Sequence, residues 1–328
     1  MIEPEPYPST RLRAPTIRSR IMLQVASHLV GQSDWAEKQV MVQLRGQGDE
    51  EFTYRLLGGD SPKSVADVAA GRIDVAIVNP AAAASAGLRH AGLRPDALAS
   101  IATIPSYDQL GLAVTTATGI TRIEELPVMR PKLRLTLRGQ RDHSVQGFVV
   151  DALAAVGVSL ADVEEWGGSV SYDRDMPHLA TRMALITAGE VDAVFDEGVY
   201  NWGELVMKRG MRFLGFGDET LARLEAQGYR RGELTPHRFP SLTEPVSTLD
   251  FSGFMIYTRR DAPDQLVEGV CDALLANRGS IAWQGGDSLP LERMVTNAVD
   301  APLAVALHPA AQRFWVSHGL IGTGAPGA

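Results

Sequence analysis

At 328 residues the chain is long enough for two domains of ordinary size, each burying its own core. Its 45% hydrophobic and 21% charged residues are the proportions of a soluble globular protein, and neither nucleic acid nor an anionic membrane surface suits a formal net charge of −8 with no long Lys/Arg run against it. The single cysteine, Cys271, excludes an internal disulfide, and its apolar neighbours in 266–275 read as a helix face around an inert thiol.

In chain order, the acidic, proline-rich start has no basic segment followed by an apolar one, and no apolar run approaches the roughly 20 residues that span a bilayer. The chain as written is therefore expected in the cytoplasm, or in the periplasm if a leader has been lost. Residues 1–17 read as an extended arm, and 18–30 as a helix with Ile21, Val25, His28 and Leu29 on one stripe. A strand over 38–44 is followed by the turn Gly58-Gly59-Asp60-Ser61-Pro62 and a helix over 62–70. Asp60 or Ser61 suits its cap, Pro62 its first turn, and Gly71 its stop.

The apolar run 75–78 then reads as a strand without alternation, as expected of one buried on both faces in a parallel sheet. The same unit recurs: Ala70-Gly71-Arg72-Ile73-Asp74 before 75–78 is matched by Ala188-Gly189-Glu190-Val191-Asp192 before 193–196. Further strands are expected at 99–104, 110–114, 132–137, 212–216 and 255–258, with helices over 145–156 and 263–277. The result is an α/β fold of two similar lobes with a central cleft. Lobe one takes residues 1–108 and 250–328, lobe two residues 109–249, and the chain returns at about 245–252.

The Gly58-Gly59-Asp60-Ser61 turn, the two Ala-Gly-x-[Ile/Val]-Asp segments and the ending 307–315 (LHPAAQRFW) resemble the TAXI family. These are solute receptors of tripartite ATP-independent periplasmic (TRAP) transporters, and the resemblance runs from about residue 55 to 320. It implies a type II periplasmic-binding-protein-like fold, hinge closure on a carboxylate ligand, and membrane transporter subunits as partners if the chain is exported. It also implies ligand contacts at Gly59, Asp60 and Ser61 and in the loop 138–144. The family's glycine-rich first loop has no counterpart in 13–20, so contacts from that loop are not carried over.

Ligands of open α/β sheets sit beyond the carboxyl ends of the strands. Those ends nominate Asn79, Ser106 with Tyr107, Arg138 with Gln140, and Asp196 with Glu197. The loop 138–144 adds Arg141, His143 and Ser144, so that two guanidinium groups, an imidazole and a hydroxyl stand at a strand-to-helix junction suited to a carboxylate. Asp196 and Glu197 could take an amino group or hydroxyl, with Tyr200 and Trp202 walling an apolar part; a capping aspartate and packed aromatics is the plainer reading. The seven histidines lack metal-binding spacing, and no cofactor motif is present. A binding protein is the first reading. A decarboxylase or lyase on the same scaffold is the second, with Arg138 holding a carboxylate and His143, Asp196 or Glu197 moving the proton.

Overall fold

The computed structural model describes residues 14–31, 38–46, 52–59 and 61–322. Two runs with no polar alternation make the centre of each lobe. Val75–Val78 and Ala193–Asp196 are covered on both faces, and each follows a helix stopped by a left-handed glycine, Gly71 (φ 70°) and Gly189 (φ 68°). The strands in chain order are β1 (Gln39–Arg45), β2 (Thr53–Gly59), β3 (Val75–Val78), β4 (Leu98–Ile104), β5 (Gly111–Thr115), β6 (Arg134–Arg138), β7 (Ser169–Asp173), β8 (Ala193–Asp196), β9 (Met211–Phe213), β10 (Arg231–Leu234), β11 (Val246–Leu249) and β12 (Phe254–Arg259).

They form two five-stranded sheets, ordered β1-β2-β3-β12-β4 and β7-β6-β8-β5-β9, and a small ladder of β10 with β11. In the first sheet β2 and β3 run parallel while β12 opposes both β3 and β4; in the second, β6 is parallel to β7 and β8 while β5 opposes β8 and β9. Each sheet thus has, in its interior, one reversed strand that arrives from the other side of the molecule. The fold is two-lobed α/β. Because the reversed strands begin where the parallel ones end, the carboxyl ends of β3, β6 and β8 and the amino ends of β5 and β12 all face the seam between the lobes.

Two chain segments cross that seam side by side. Leu110 donates its N–H to Leu249 O (2.9 Å), Phe251 to Asp108 O (3.0 Å) and Gly253 to Ser106 O (2.9 Å). Gln109 and Asp250 pair as an antiparallel bridge. Ser252 closes the pair from its side chain: its hydroxyl donates to Asp108 O (2.9 Å) and accepts from Asp108 N (3.0 Å).

Contacts away from the crossovers also bridge the lobes. Ser85 donates to Gly228 O (2.5 Å), His90 pairs with Asp151 (3.0 Å), Lys63 with Asp142 (3.0 Å), and Gln284 donates to the Tyr200 hydroxyl (3.2 Å). Phe148 meets Tyr229 and Phe251 edge-on, with centroids at 4.6 and 4.9 Å, within a core that runs from one lobe into the other. A separate core under the helices Asp264–Ala276 and Pro309–Ser317 holds Cys271, and Trp315, which donates to Ile101 O (3.0 Å).

Three expectations are corrected. Residues 14–17 are not arm but the first turn of the helix Ala14–Val30; residues 1–13 lie outside the described residues. Ile21, Val25 and Leu29 on that helix are exposed, since nothing among the described residues covers them. The helix Ser64–Ala69 has no side-chain cap: the Ser61 hydroxyl accepts instead from Lys63 N, one residue short of the helix. Asp60 lies outside the described residues.

The second crossover turns into β12 at Gly253, whose φ is 83° and whose missing Cβ would stand 2.6 Å from Thr103 Cγ2. Gly253→Ala combines a left-handed conformation with a clash, and is expected to cost about 1–3 kcal/mol. Urea unfolding checks this; an unchanged midpoint would show that the crossover relaxes freely.

Candidate functional site

Where the strand ends converge there is a cleft of about 320 Å³. Gly59 of β2, Ile77 and Val78 of β3, Asn79 and Phe254 line it from lobe one, and His143 and Glu197 from lobe two. That volume is at the lower end of small-molecule sites, about 300–1,000 Å³. Each polar group in it is held by its own element. Asn79 donates its amide to Gly253 O (3.1 Å), which ties the end of β3 to the second crossover. His143 accepts from Val145 N (3.2 Å) at the start of the helix Val145–Ala154 and stacks on Phe251 at 6.3 Å. Glu197 follows β8 directly, and its backbone carbonyl accepts from the buried indole of Trp202 (2.8 Å).

Behind the cleft wall lies a charge cluster. Asp196, with no exposed surface, accepts from Arg138 Nη2 (3.0 Å) and from Arg182 Nη1 (2.6 Å). Arg138 also donates to Glu197. Arg182, itself fully buried, donates on to Asp175 O (3.2 Å), and its Nε stands 3.9 Å from Asp173. Two guanidinium groups and two carboxylates thus neutralise one another where a lone charge would be very costly. The two acids draw Arg138 further up despite its burial.

A third carboxyl group abuts this cluster. Asp108, on the first crossover, accepts from Gln109 N (2.7 Å) and Gly198 N (2.7 Å). Burial, then the neighbouring Glu197, push Asp108 well above the usual carboxylate range. Burial also pushes Glu197 up, but Arg138, the neighbouring Asp108 and His143 outweigh it and hold Glu197 below its ordinary value. The cleft therefore faces a Glu197 carboxylate held down chiefly by Arg138, with the raised Asp108 near it.

The structure distributes the nominated residues unevenly. Gly59, Asn79, His143 and Glu197 meet in the cleft. Arg138 and Asp196 stand behind it, so the arginine grips internal acids where a ligand carboxylate was expected. Trp202 packs on Phe213 in the core of lobe two (5.4 Å), while Tyr200 is half exposed and meets Gln284. Ser106 donates to Gln284 Oε1 (3.0 Å). Tyr107 turns to another face, where its hydroxyl donates to Glu233 O (2.9 Å) and Arg238 covers its ring at 3.7 Å. Arg141 lies over the Tyr172 ring at 3.6 Å, the Gln140 carbonyl accepts from Gln146 (3.2 Å), Ser144 is buried, and Ser61 bonds within its own turn.

Asp108 and Arg182 were missed. Arg182 sits in a helix, Ala180–Thr187, where an arginine ordinarily faces water. Asp108 had a readable signal, as an acid inside the apolar passage between two buried strands, β4 and β5.

No family model matches the chain, and no curated protein matches it. Among solved structures, the chain is similar to a TctC solute binding protein from Polaromonas (12% identity over 65% of this chain and 67% of that one, TM-score 0.35). It is also similar to the tungstate-binding protein TupA from Desulfovibrio alaskensis (11%, 69% and 81%, 0.35). A third is lactococcal OpuAC complexed with glycine betaine (11%, 79% and 82%, 0.34). At these scores the chemistry of the cleft rests on this chain's own residues.

Arg138→Met leaves Asp196 with one cation and Glu197 with none, and breaking a buried pair in this way costs about 3–5 kcal/mol. Arg141→Ala removes only a cation–π contact, worth about 0.5–1 kcal/mol at an exposed site. Chemical denaturation of both variants should separate them clearly; equal losses would count against the charge cluster as the support of the site.

Proposed function

We propose that the chain is a small-molecule receptor whose lobes close on a ligand held between Gly59 and Asn79 of lobe one and His143 and Glu197 of lobe two. The single observation that carries this is the cleft itself, which opens at the paired crossovers and takes its polar groups from both lobes. Two adjacent crossovers let one lobe rotate on the other at little cost to either sheet, which is the hinge type of closure. The order of turns and strand starts that resembles the TAXI receptors supports the same reading, and in that reading a membrane transporter is the partner that recognises the closed form.

The ligand in this proposal is a small organic acid that also carries a hydrogen-bond donor, an ammonium or a hydroxyl. His143 and the start of the helix Val145–Ala154 suit its carboxylate. Glu197, ionised and facing the cleft, suits the donor. Arg138 contributes by holding Glu197 in place, since its Nε and Nη2 are engaged by Asp196 and Glu197.

One observation favours a second reading, catalysis. Two neighbouring acids are pushed in opposite directions here, Asp108 up by burial and Glu197 down chiefly by Arg138, and His143 lines the same cleft as Glu197. Perturbed acid pairs of this kind cluster at catalytic sites, and a lyase or decarboxylase would use Glu197 or His143 to move a proton.

A thermal-shift screen against amino acids, hydroxy acids, dicarboxylates and aromatic acids tests both. A ligand at about a hundred times its dissociation constant adds roughly 2.7 kcal/mol of apparent stability. The receptor reading expects a shift, the acid recovered unchanged, and loss of most of the shift in His143→Ala. Consumption of the acid establishes the enzyme instead, and no shift across the panel sinks the carboxylate ligand.

A further inference from the structure

A second cavity, of about 460 Å³, lies against the paired crossovers. Tyr107 and Gln109 of the first crossover, Asp250 of the second, Arg230 and Arg238 of lobe two and Val299 of lobe one line it. It shares no residue with the cleft. The backbone accounts for the separation, because successive side chains of an extended segment point to opposite sides. Tyr107 and Gln109 face this cavity, while Asp108 between them accepts from Gly198 N, next to Glu197 of the cleft.

Two groups in the cavity wall are buried with part of their hydrogen-bonding capacity unused. Asp250 is 3% exposed, and the bonds it accepts fall on one oxygen: Oδ1 takes Gln109 Nε2 (2.9 Å) and Ser252 N (3.2 Å). Its Oδ2 accepts none, and the buried Nη1 of Arg230 donates none. These two atoms stand 3.6 Å apart, outside hydrogen-bond reach. Buried polar atoms are ordinarily satisfied, so a facing pair of exceptions in one cavity wall points to a group that belongs between them. Arg238 adds a third. Its guanidinium covers the Tyr107 ring at 3.7 Å and makes no ion pair among the described residues. Arg231, by contrast, is taken up by Asp218 (2.7 Å) and Glu225 (2.9 Å).

The cavity therefore offers donors on Arg230 and Arg238 and one carboxylate oxygen on Asp250. A plain anion meets the guanidinium groups well and Asp250 badly; a cation does the reverse. An oxyanion with a hydroxyl beside it satisfies all three, since its oxygens accept from the arginines and its hydroxyl donates to Oδ2. Burial holds Asp250 above its ordinary value in spite of Ser252, Arg230 and Gln109, so a further donor at Oδ2 is what that carboxylate lacks.

We infer that this cavity is a second small-molecule site, for a hydroxylated oxyanion: a carboxylate or phosphate with an adjoining hydroxyl, gripped by Arg230 and Arg238 and selected by Asp250. The selection works by exclusion. An oxyanion without the hydroxyl sets its own lone pairs and charge against Oδ2. No residue of the cleft takes part, so this site and the receptor reading stand or fall separately.

The experiment is isothermal titration calorimetry of the intact chain at neutral pH with two matched pairs, inorganic phosphate against sulfate and lactate against propionate. In each pair only the first carries a hydroxyl. Phosphate, lactate or both should bind with a dissociation constant of about 1 mM or tighter, and the hydroxyl-free partner at least about tenfold more weakly. Which of the two binds better tells phosphate from carboxylate. Binding should weaken by about tenfold or more in Arg238→Ala, at an exposed position, and persist in His143→Ala. Asp250→Asn, which exchanges the acceptor for an amide, should bring sulfate level with phosphate; if that variant does not fold, Arg238→Ala carries the test. The inference is overturned if none of the four binds, if the hydroxyl makes no difference, or if Arg238→Ala binds as wild type does. Binding lost in His143→Ala instead puts the anion in the cleft, which sinks this site and leaves the receptor reading standing.

Discussion

The centre of the molecule depends on one buried carboxylate held between two guanidinium groups. Asp196 ends β8, the middle strand of the second sheet, and has no access to water. Arg138 from β6 and Arg182 from the helix Ala180–Thr187 pair with it from two sides, where a lone buried charge would be very costly. Because the three groups come from three elements, the cluster also fixes how those elements sit. Glu197 takes its place from that arrangement, with Arg138 on one side and its backbone pinned by Trp202.

The paired crossovers are built on the opposite principle. Their two segments are short, pair through few backbone bonds, and carry buried polar side chains: Asp108, Gln109, Asp250 and Ser252. Gln109 is the connector, donating to Asp250 and accepting from Glu233 N (2.9 Å) in the small β10–β11 ladder. A ladder of this length joins the lobes without extending either five-stranded sheet.

Much of the architecture was readable along the chain. Strands buried on both faces lose their alternation, and β3, β4 and β8 showed it; helices that end at a left-handed glycine announce the stop, as at Gly71 and Gly189. Burial of Cys271 followed from the apolar face of its helix. The helix Ala14–Val30 shows the limit: its apolar stripe was legible, but a stripe does not say what, if anything, lies against it.

The site divides in the same way. Strand-end position alone nominated Asn79 and Glu197, and the loop that follows β6 added His143, because topology puts strand ends at the seam whatever the side chains do. What position could not supply was direction and partnership. Tyr107 and Asp108 are adjacent, yet one faces Arg238 on an outer surface and the other Glu197 beside the cleft, as successive residues of an extended segment must. Arg138 had the chemistry to grip a ligand, but the acids that claim it are 58 and 59 residues away in the chain. The sequence by itself determined the α/β class, the buried strands and the places where the chain turns, since these depend on local pattern. Only the tertiary structure decided which charges neutralise one another and which one faces the cleft, because burial and pairing are properties of neighbours in space.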